Sequence, residues 1–157
     1  MRTISKRTQY GLKAMLALGK RYGEGPVRIA TIAAEEGIPL KFLEIILLDL
    51  KGNGLLESKT GKRGGYLLSR PPSTITVGSL IRFMEGPLAP LRCASEMAYR
   101  PCEECADVEA CGTRIIMRQV RDAIAEVLDR TTLTELLRQM EAARSGRSRK
   151  EALMYHI

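Results

Sequence analysis

Four cysteines lie close together in the chain, with the spacing Cys93-x8-Cys102-x2-Cys105-x5-Cys111. Thiolates suit both zinc and iron–sulfur clusters, and each of these commonly takes four of them. Cys102 and Cys105 form a compact two-ligand unit, which Cys93 and Cys111 flank from the two ends of one segment. The spacing leaves three interpretations open: an iron–sulfur cluster, a structural zinc site, and a reactive thiol pair that oxidises to a disulfide.

The compartment of the protein bears on the cysteine chemistry. The N-terminus is charged, and no apolar stretch of about 7–15 residues follows it as in a signal peptide. No apolar run approaches the roughly 18 residues of a membrane span. We therefore expect a cytoplasmic protein with no membrane partner, in which thiols stay reduced. There the cysteines are better explained as metal ligands or redox groups than as structural disulfides.

The cysteines occupy an irregular, acidic segment, residues 91–112, between two predicted helices. A helical pattern over Val77–Glu85 precedes it, and the strongest helical pattern in the chain, over residues 113–130, follows it. The apolar stripe of this long helix comprises Ile116, Val120, Ala123 and Val127, widened by Ile115, Ile124 and Leu128. Thr131-Thr132 breaks the pattern, a last helix is predicted over 133–144, and residues 145–157 are predicted to be a flexible tail.

The first 70 residues contain three further helical patterns, over 5–20, 28–36 and 39–51. Ser5 is placed to cap the first helix, and Gly37 can adopt the positive φ of a tight turn between the second and third. Residues 29–50 therefore fit a helix-turn-helix. Two short strands, 55–58 and 66–68, flank a glycine-rich turn and predict a β-hairpin. The predicted fold is mainly α with a small β-hairpin wing.

The positive charge of the chain is confined to the same region. Residues 1–70 carry 13 Lys and Arg against 6 Asp and Glu, whereas the rest of the chain carries 12 of each. Because Lys and Arg release counterions from phosphates, a positive field on one segment suggests a polyanionic partner. The helix-turn-helix, the hairpin and the charge together predict binding to double-stranded DNA. The acidic cysteine segment should face away from the DNA.

A helix-turn-helix places its second helix in the major groove. There Lys41 can meet a phosphate or a guanine, Glu44 can accept from cytosine N4, and Leu40 or Ile45 can touch a thymine methyl group. The tip of the hairpin fits a wing that reaches the backbone or the minor groove. The complete set of predicted DNA-contacting residues is Arg2, Lys6, Arg28, Leu40, Lys41, Glu44, Ile45, Lys51, Thr60, Lys62 and Arg63.

The chain resembles the IscR/NsrR/CymR-type family of bacterial winged-helix transcription regulators over about residues 1–140. The matching residues are Met1-Arg2-x-x-Ser5-Lys6-x-x-x-Tyr10-x-x-x-Ala14-Met15, Ile38-x-x-x-Phe42-Leu43-Glu44, Gly52-x-Gly54-Leu55-x-x-Ser58 and Gly61-x-x-Gly64-Gly65-Tyr66-x-Leu68, together with the cysteine segment. The resemblance implies a homodimer in which the long helix packs against its counterpart. Such a dimer binds a palindromic operator.

The resemblance also bears on the ligands. Cys93, Cys105 and Cys111 match the cluster cysteines of the family's iron–sulfur-sensing branch. In one branch the fourth ligand is a His three residues after the last cysteine, where this chain has Arg114. In another branch it is a carboxylate from the N-terminal helix, where this chain has Arg7 and Thr8. The only histidine, His156, lies in the tail, so Cys102 is the best candidate for the fourth ligand. The site would then hold a [2Fe–2S] or [4Fe–4S] cluster on four thiolates, with zinc as the alternative.

These inferences predict a dimeric transcription regulator, acting as a repressor, whose operator affinity is controlled by a cluster that senses iron, redox state or nitric oxide. The alternative is a cluster-free winged-helix regulator that uses zinc, thiol oxidation or a partner protein as its signal. An electron carrier would show tighter cysteine spacing and no winged helix. We do not expect an enzyme, because no nucleophile–base pair and no phosphate-binding loop stand out.

The predicted units follow from this organisation. They are a winged helix-turn-helix DNA-binding domain (1–72), a linking helix and loop (73–90), a cysteine-rich cluster-binding loop (91–112), dimerisation helices (113–144) and the tail (145–157).

Overall fold

Helices dominate the computed structural model, which describes residues 4–154 and their side chains as far as residue 146. The helices in this range are α1 (Lys6–Lys20), α2 (Ile29–Glu36), α3 (Leu40–Gly52), α4 (Val77–Glu85), α5 (Gly112–Arg130) and α6 (Leu133–Met154). The strands β1 (Leu56–Lys59) and β2 (Gly65–Leu68) form an antiparallel hairpin directly after α3. This arrangement confirms the predicted fold class.

The helix-turn-helix forms because one face of α3 is apolar and the turn before it contains a glycine. Gly37 at the end of α2 adopts the positive φ that the sequence predicts, with a value of +63°, and its N–H donates to the carbonyl of Ala33. The buried residues of α3 are Leu43, Ile46, Leu47 and Leu50. Ser5 caps α1 as predicted, since its hydroxyl accepts from the backbone N–H of Thr8 at 3.2 Å.

In the hairpin, Leu56 pairs with Leu68 at one end of the strands and Lys59 pairs with Gly65 at the other end, next to the turn. It is joined by a contact that the sequence pattern did not predict. Val27, just before α2, exchanges two backbone hydrogen bonds of 2.8 Å with Tyr66 of β2. The hairpin is therefore tied to the start of the helix-turn-helix as well as to the end of α3.

The C-terminal helix returns to the first half of the chain. The backbone N–H of Leu133 donates to the carbonyl of Ile75, and that of Val77 donates to the carbonyl of Thr131. Leu133 is fully buried in the same core as the helix-turn-helix. Leu137 of α6 lies against Gly19 of α1. The core of the DNA-binding half thus includes residues from the far end of the chain.

The last helix is longer than predicted. The sequence interpretation ends it at residue 144 and begins a tail there, but α6 continues to Met154. Residues 145–154 contain no Pro and several good helix formers, so nothing in them forces the helix to end. His156 lies outside the described residues. Within residues 4–154 no helix has the length and apolar character needed to cross a membrane.

Candidate DNA-binding surface and cysteine loop

The outer face of α3 carries the residues predicted to reach base edges. Leu40, Lys41 and Ile45 are exposed and Glu44 is half-buried, because the opposite face of the helix fills the core. Their positions in the helix place these four side chains on one outward face. The structure therefore brings together the part of the predicted surface that lies on α3.

One further residue on this face was missed. Leu48 is 59% exposed, one turn beyond Ile45, which is 57% exposed. The predicted contact set does not include Leu48, and the packing of α3 shows that this leucine points outward. Its spacing of i, i+3 and i, i+4 from Ile45 and Glu44 was the signal available in the sequence.

The wing presents its predicted side chains to solvent. Thr60, Lys62 and Arg63 are all exposed in the turn between the strands. Arg28, the residue before α2, donates a 2.9 Å hydrogen bond to the carbonyl of Lys62. Arg28 therefore fixes the wing tip relative to α2 as well as adding a charge beside it.

The other predicted cations are more dispersed. Lys51 in the last turn of α3 donates to the hydroxyl of Ser58 on β1 at 2.6 Å, and Lys6 at the start of α1 lies 3.4 Å from the Gln9 side chain. Both lysines are exposed. Arg2 lies outside the described residues.

The start of α1 is held from α4. The backbone N–H of Ser5 donates to Glu85 Oε1 at 2.7 Å, and the Thr8 hydroxyl donates to the same oxygen. These hydrogen bonds from Ser5 and Thr8 keep the pKa of the Glu85 carboxyl below its usual value. Glu85 thus anchors the N-terminal end of α1 to the helix that precedes the cysteine loop.

The four cysteines are half-buried free thiols. Cys93 lies in a single 3-10 turn, Arg92–Ala94, and Cys111 is the N-cap residue immediately before α5. The thiol of Cys105 donates to Cys111 Sγ at 3.7 Å. The thiols of Cys105 and Cys111 are therefore already in contact at the N-terminal end of α5.

The thiols affect one another electrostatically. The neighbouring thiols of Cys102 and Cys111 raise the pKa of the Cys105 thiol to about 12. The backbone N–H of Arg114 lowers the pKa of the Cys111 thiol, and its contact with Cys105 acts in the same direction. The Cys105 thiol therefore has Cys102 and Cys111 as its neighbours.

The donor chemistry of this loop fits a thiolate-bound metal. Two thiolates on one tetrahedral metal with metal–sulfur bonds of about 2.3 Å lie about 3.8 Å apart. The Cys105–Cys111 separation of 3.7 Å matches that value. Among the described residues no three His, Cys, Asp or Glu side chains already stand in a ligating arrangement. A metal bound by this pair would have to draw Cys102 and Cys93 toward it.

Two arginines of α5 hold the loop against the helix, and the sequence interpretation gave neither of them this role. Arg121 is 8% exposed and donates to the carbonyl of Ala94 at 2.7 Å, while it pairs with Asp122 and with Glu96. Arg114 donates to the carbonyl of Cys93 at 3.0 Å. The turn that carries Cys93 is therefore held through two successive carbonyl groups.

The apolar stripe of α5 is largely uncovered in the single chain. Ile116, Ala123 and Val127 are exposed, and Val127 reaches 64%. Val120 is half-buried. Contiguous apolar surface on a helix of this length is typical of a surface that another protein covers.

A helix-turn-helix with an exposed second helix, a cationic wing and a long helix behind them defines a winged-helix DNA-binding transcription regulator. Residues 4–139 match the family model named Rrf2, which is described as an iron-dependent transcriptional regulator. The chain belongs to the Rrf2 family.

Known relatives agree with this assignment. Over 137 residues, which are 85% of this chain and 91% of the relative, the chain is 38% identical to an rrf2-like HTH-type transcriptional regulator of Rhodobacter capsulatus. Over 154 residues, 98% of this chain and 99% of the relative, it is 34% identical to the HTH-type transcriptional regulator CymR of Bacillus subtilis.

Solved structures give the same result. The structure of CymR, the global cysteine regulator of B. subtilis, matches with a TM-score of 0.74 at 35% identity and covers 88% of this chain and 98% of CymR. The structure of IscR from T. potens matches with a TM-score of 0.71 at 32% identity and covers 90% of each chain.

These relatives confirm the family resemblance found in the sequence. They are transcriptional regulators and not enzymes, as predicted. CymR and IscR are about equally similar to this chain. The nature of the signal therefore has to be argued from the cysteine loop itself.

Proposed function

We propose that the protein is a homodimeric repressor that binds a palindromic operator, and that an iron–sulfur cluster on Cys93, Cys102, Cys105 and Cys111 controls its affinity for DNA. The observation that carries the proposal is the contact of Cys105 with Cys111 at 3.7 Å, at the point where the loop enters α5. The signal would be iron level, redox state or nitric oxide. The protein would act in the cytoplasm, where its DNA is.

The DNA-binding half of the proposal rests on the exposed face of α3 and on the wing. Lys41 and Glu44 lie on the outward face of α3 and would meet base edges, and the exposed Leu40, Ile45 and Leu48 beside them would meet thymine methyl groups. The remaining proposed contacts are to the backbone or minor groove and come from Arg2, Lys6, Arg28, Lys51, Thr60, Lys62 and Arg63.

The dimer rests on α5. Its exposed stripe, with Ile116 and Val127 near the two ends, would be buried against the same stripe of a second copy. A two-fold dimer places two recognition helices on one face of DNA about 34–36 Å apart, which requires a palindromic operator. A small rotation of α5 would therefore change the fit to both half-sites.

The chain itself provides a route from the loop to the DNA. Arg82 of α4 makes a two-pronged ion pair with Asp129 of α5, the longer contact being 2.8 Å. Glu85 of the same helix holds the start of α1. A change in the position of α5 would thus be carried through α4 to the N-terminal end of α1, near Lys6.

A bound cluster would supply metal–thiolate bonds that order the loop, and these are lost when the cluster is damaged. The separation of Cys105 and Cys111 suits two thiolates on one metal, as in zinc sites and in [2Fe–2S] clusters. A [4Fe–4S] cluster on four cysteines uses one cysteine for each iron, so the pair favours [2Fe–2S]. The switch can act only if loop order differs between the two DNA-binding conformations.

A second candidate function is a cluster-free regulator that responds to zinc, to thiol oxidation or to a partner protein. The same 3.7 Å contact supports it, because two thiols this close can oxidise to a disulfide or bind zinc. The similarity to CymR, which is described as a global cysteine regulator, also favours it.

The test is anaerobic purification followed by visible absorption and by iron, sulfide and zinc analysis of one sample. We expect a coloured protein with iron and sulfide, and loss of colour in the Cys102→Ala variant. A colourless protein that takes up only zinc, or no metal after reconstitution, overturns the cluster. A C102A variant that keeps the wild-type spectrum removes Cys102 from the ligand set.

Operator binding is tested separately. In vitro selection from a randomised duplex of about 30 bp, long enough for two half-sites, should yield a palindrome. Fluorescence anisotropy with the selected duplex then compares loaded and metal-free protein at one salt concentration. Equal affinity of the two forms contradicts control by the metal while leaving the DNA-binding assignment in place.

A further inference from the structure

The side chain of Arg114 lies between the two ends of the cysteine loop. This side chain is only 12% exposed, although Arg114 is in the first turn of α5. It donates to the carbonyl of Cys93 at 3.0 Å and to the carbonyl of Val108 at 3.4 Å. It also pairs with Glu109 at 3.0 Å. One side chain thus connects the beginning of the loop with its end.

These contacts suit the chemistry of arginine. A guanidinium has five N–H donors in a rigid plane, so it can satisfy several acceptors at once, which the ammonium of lysine cannot do with the same geometry. The ring of Tyr99, from the middle of the loop, lies 6.0 Å from the guanidinium carbon and is within cation–π range. Arg114 therefore contacts the beginning, the middle and the end of the loop.

Holding Cys93 and Val108 together lowers the entropy that the loop would otherwise lose when its cysteines bind one metal. The charge of Arg114 acts in the same direction. The loop carries five carboxylates, Glu96, Glu103, Glu104, Asp107 and Glu109, and ligation would add thiolate charge to them. A shielded cation one turn from Cys111 offsets part of that charge.

We propose that Arg114 is a positioning residue of the metal centre, which holds Cys93 and the Cys111 end of the loop in place for ligation and sets the charge beside the thiolates. This inference rests on the proposed metal-binding function of the cysteines. Arg114 is not itself a ligand, since a guanidinium stays protonated and offers no lone pair.

The chain provides a matched control in Arg118. It lies one turn further along α5 and lines the same small cavity as Arg114, together with Cys93 and Arg121. Arg118 is exposed. Among the described residues it makes no hydrogen bond or ion pair with the cysteine loop. Replacing Arg118 therefore removes a nearby charge without releasing the loop.

The experiment compares wild type with Arg114→Gln, Arg114→Lys and Arg118→Gln after anaerobic reconstitution. Iron and sulfide per protomer, the reduction potential of the loaded protein, and the rate at which N-ethylmaleimide alkylates each cysteine of the metal-free protein are measured. R114Q should lose most of its metal, and its Cys93 should be alkylated at least about tenfold faster than in wild type. A tenfold change corresponds to the loss of about 1.4 kcal/mol of stabilisation of the loop.

The conservative variant R114K separates the effect of the positive charge from the effect of the hydrogen bonds that the guanidinium makes. The metal retained by R114Q should have a lower reduction potential than wild type, because a positive charge beside the thiolates has been removed. R114K should keep the wild-type potential but not the slow alkylation. A general loss of folding would instead lower the unfolding temperature of the metal-free protein and expose all four cysteines alike.

The outcomes distinguish this inference from the proposed function. Equal metal content, potential and alkylation rates in R114Q and R118Q overturn the positioning role of Arg114 while wild-type metal binding stands. A wild-type protein that binds no metal overturns the proposed function and this inference together.

Discussion

Replacing Gly65 by Ala should detach the wing from the rest of the DNA-binding half. A Cβ at this position would lie 2.9 Å from the backbone nitrogen of Arg28 and closer still to the carbonyl group of Val27. No side-chain rotation relieves this, because the obstructing atoms are backbone. The strand carrying Tyr66 must then move away from Val27.

The cost follows from the contacts that would be lost. Val27 and Tyr66 exchange two hydrogen bonds of 2.8 Å, and a protein hydrogen bond contributes about 0.5–1.5 kcal/mol. We expect Gly65→Ala to lower the free energy of unfolding by about 1–3 kcal/mol. For a chain of this length each kcal/mol corresponds to roughly 2–4 °C of melting temperature. A displaced wing should also weaken operator binding by at least about tenfold, or 1.4 kcal/mol.

The chain contains no Trp, so thermal unfolding is best followed by circular dichroism. All samples are measured at one protomer concentration, because the proposed dimerisation would stabilise the fold. Gly52→Ala is the control, since a Cβ there meets nothing within 4 Å and alanine favours the last turn of α3. G52A should melt at or above the wild-type temperature. A G65A variant with wild-type melting and operator affinity would refute the proposed need for a glycine.

Three further outcomes are expected. Replacing Lys62 and Arg63 together by Gln should reduce the slope of log affinity against log salt by about 3–4, because a dimer would lose four phosphate contacts at about 0.9 each. An unchanged slope in anisotropy titrations would show that the wing does not contact the DNA backbone. Val127→Glu should give a monomer by analytical ultracentrifugation, whereas Glu126→Gln on the neighbouring position should stay dimeric; a dimeric V127E puts the interface elsewhere. Glu85→Gln should lower stability at pH 7 by about 1 kcal/mol. The pKa of the Glu85 carboxyl in the folded state lies below its ordinary value of 4.5. The stabilisation that the carboxylate provides is therefore fully present above pH 4.5 and is lost as the pH falls through the folded-state pKa. The difference in urea midpoint between wild type and E85Q should therefore shrink below about pH 4. A difference that stays constant from pH 7 to 3 would contradict the anchoring role of the Glu85 carboxylate.

The local features of the fold were predictable from the sequence. The cap at Ser5, the left-handed turn at Gly37 and the bounds of α4 depend on residues within a few positions of one another, and the structure has them as predicted. Helical periodicity and turn chemistry are properties of such short windows. Cys105 and Cys111 are likewise close in sequence, which helps to explain their contact.

What the sequence did not predict depends on contacts between distant positions. Arg121 meets the carbonyl of Ala94, 27 positions earlier, and Glu85 meets Ser5, 80 positions away. A single arginine or glutamate in a helix carries no sign of its partner, because a solvated side chain and an anchored one have the same local pattern. Leu48 shows the reverse: a residue type typical of cores is exposed because of how its helix packs.

The packing of α6 decides how this protein could be recombined with others. Leu133, more than sixty positions beyond the predicted end of the winged helix at residue 72, is fully buried in the core that supports α1 and α3. A chimera that joined residues 1–72 to a foreign sensor would expose the apolar surface that Leu133 and Leu137 cover. Functional exchange between such regulators should therefore proceed by replacing the cysteine loop between α4 and α5, with both ends of the chain kept from one parent.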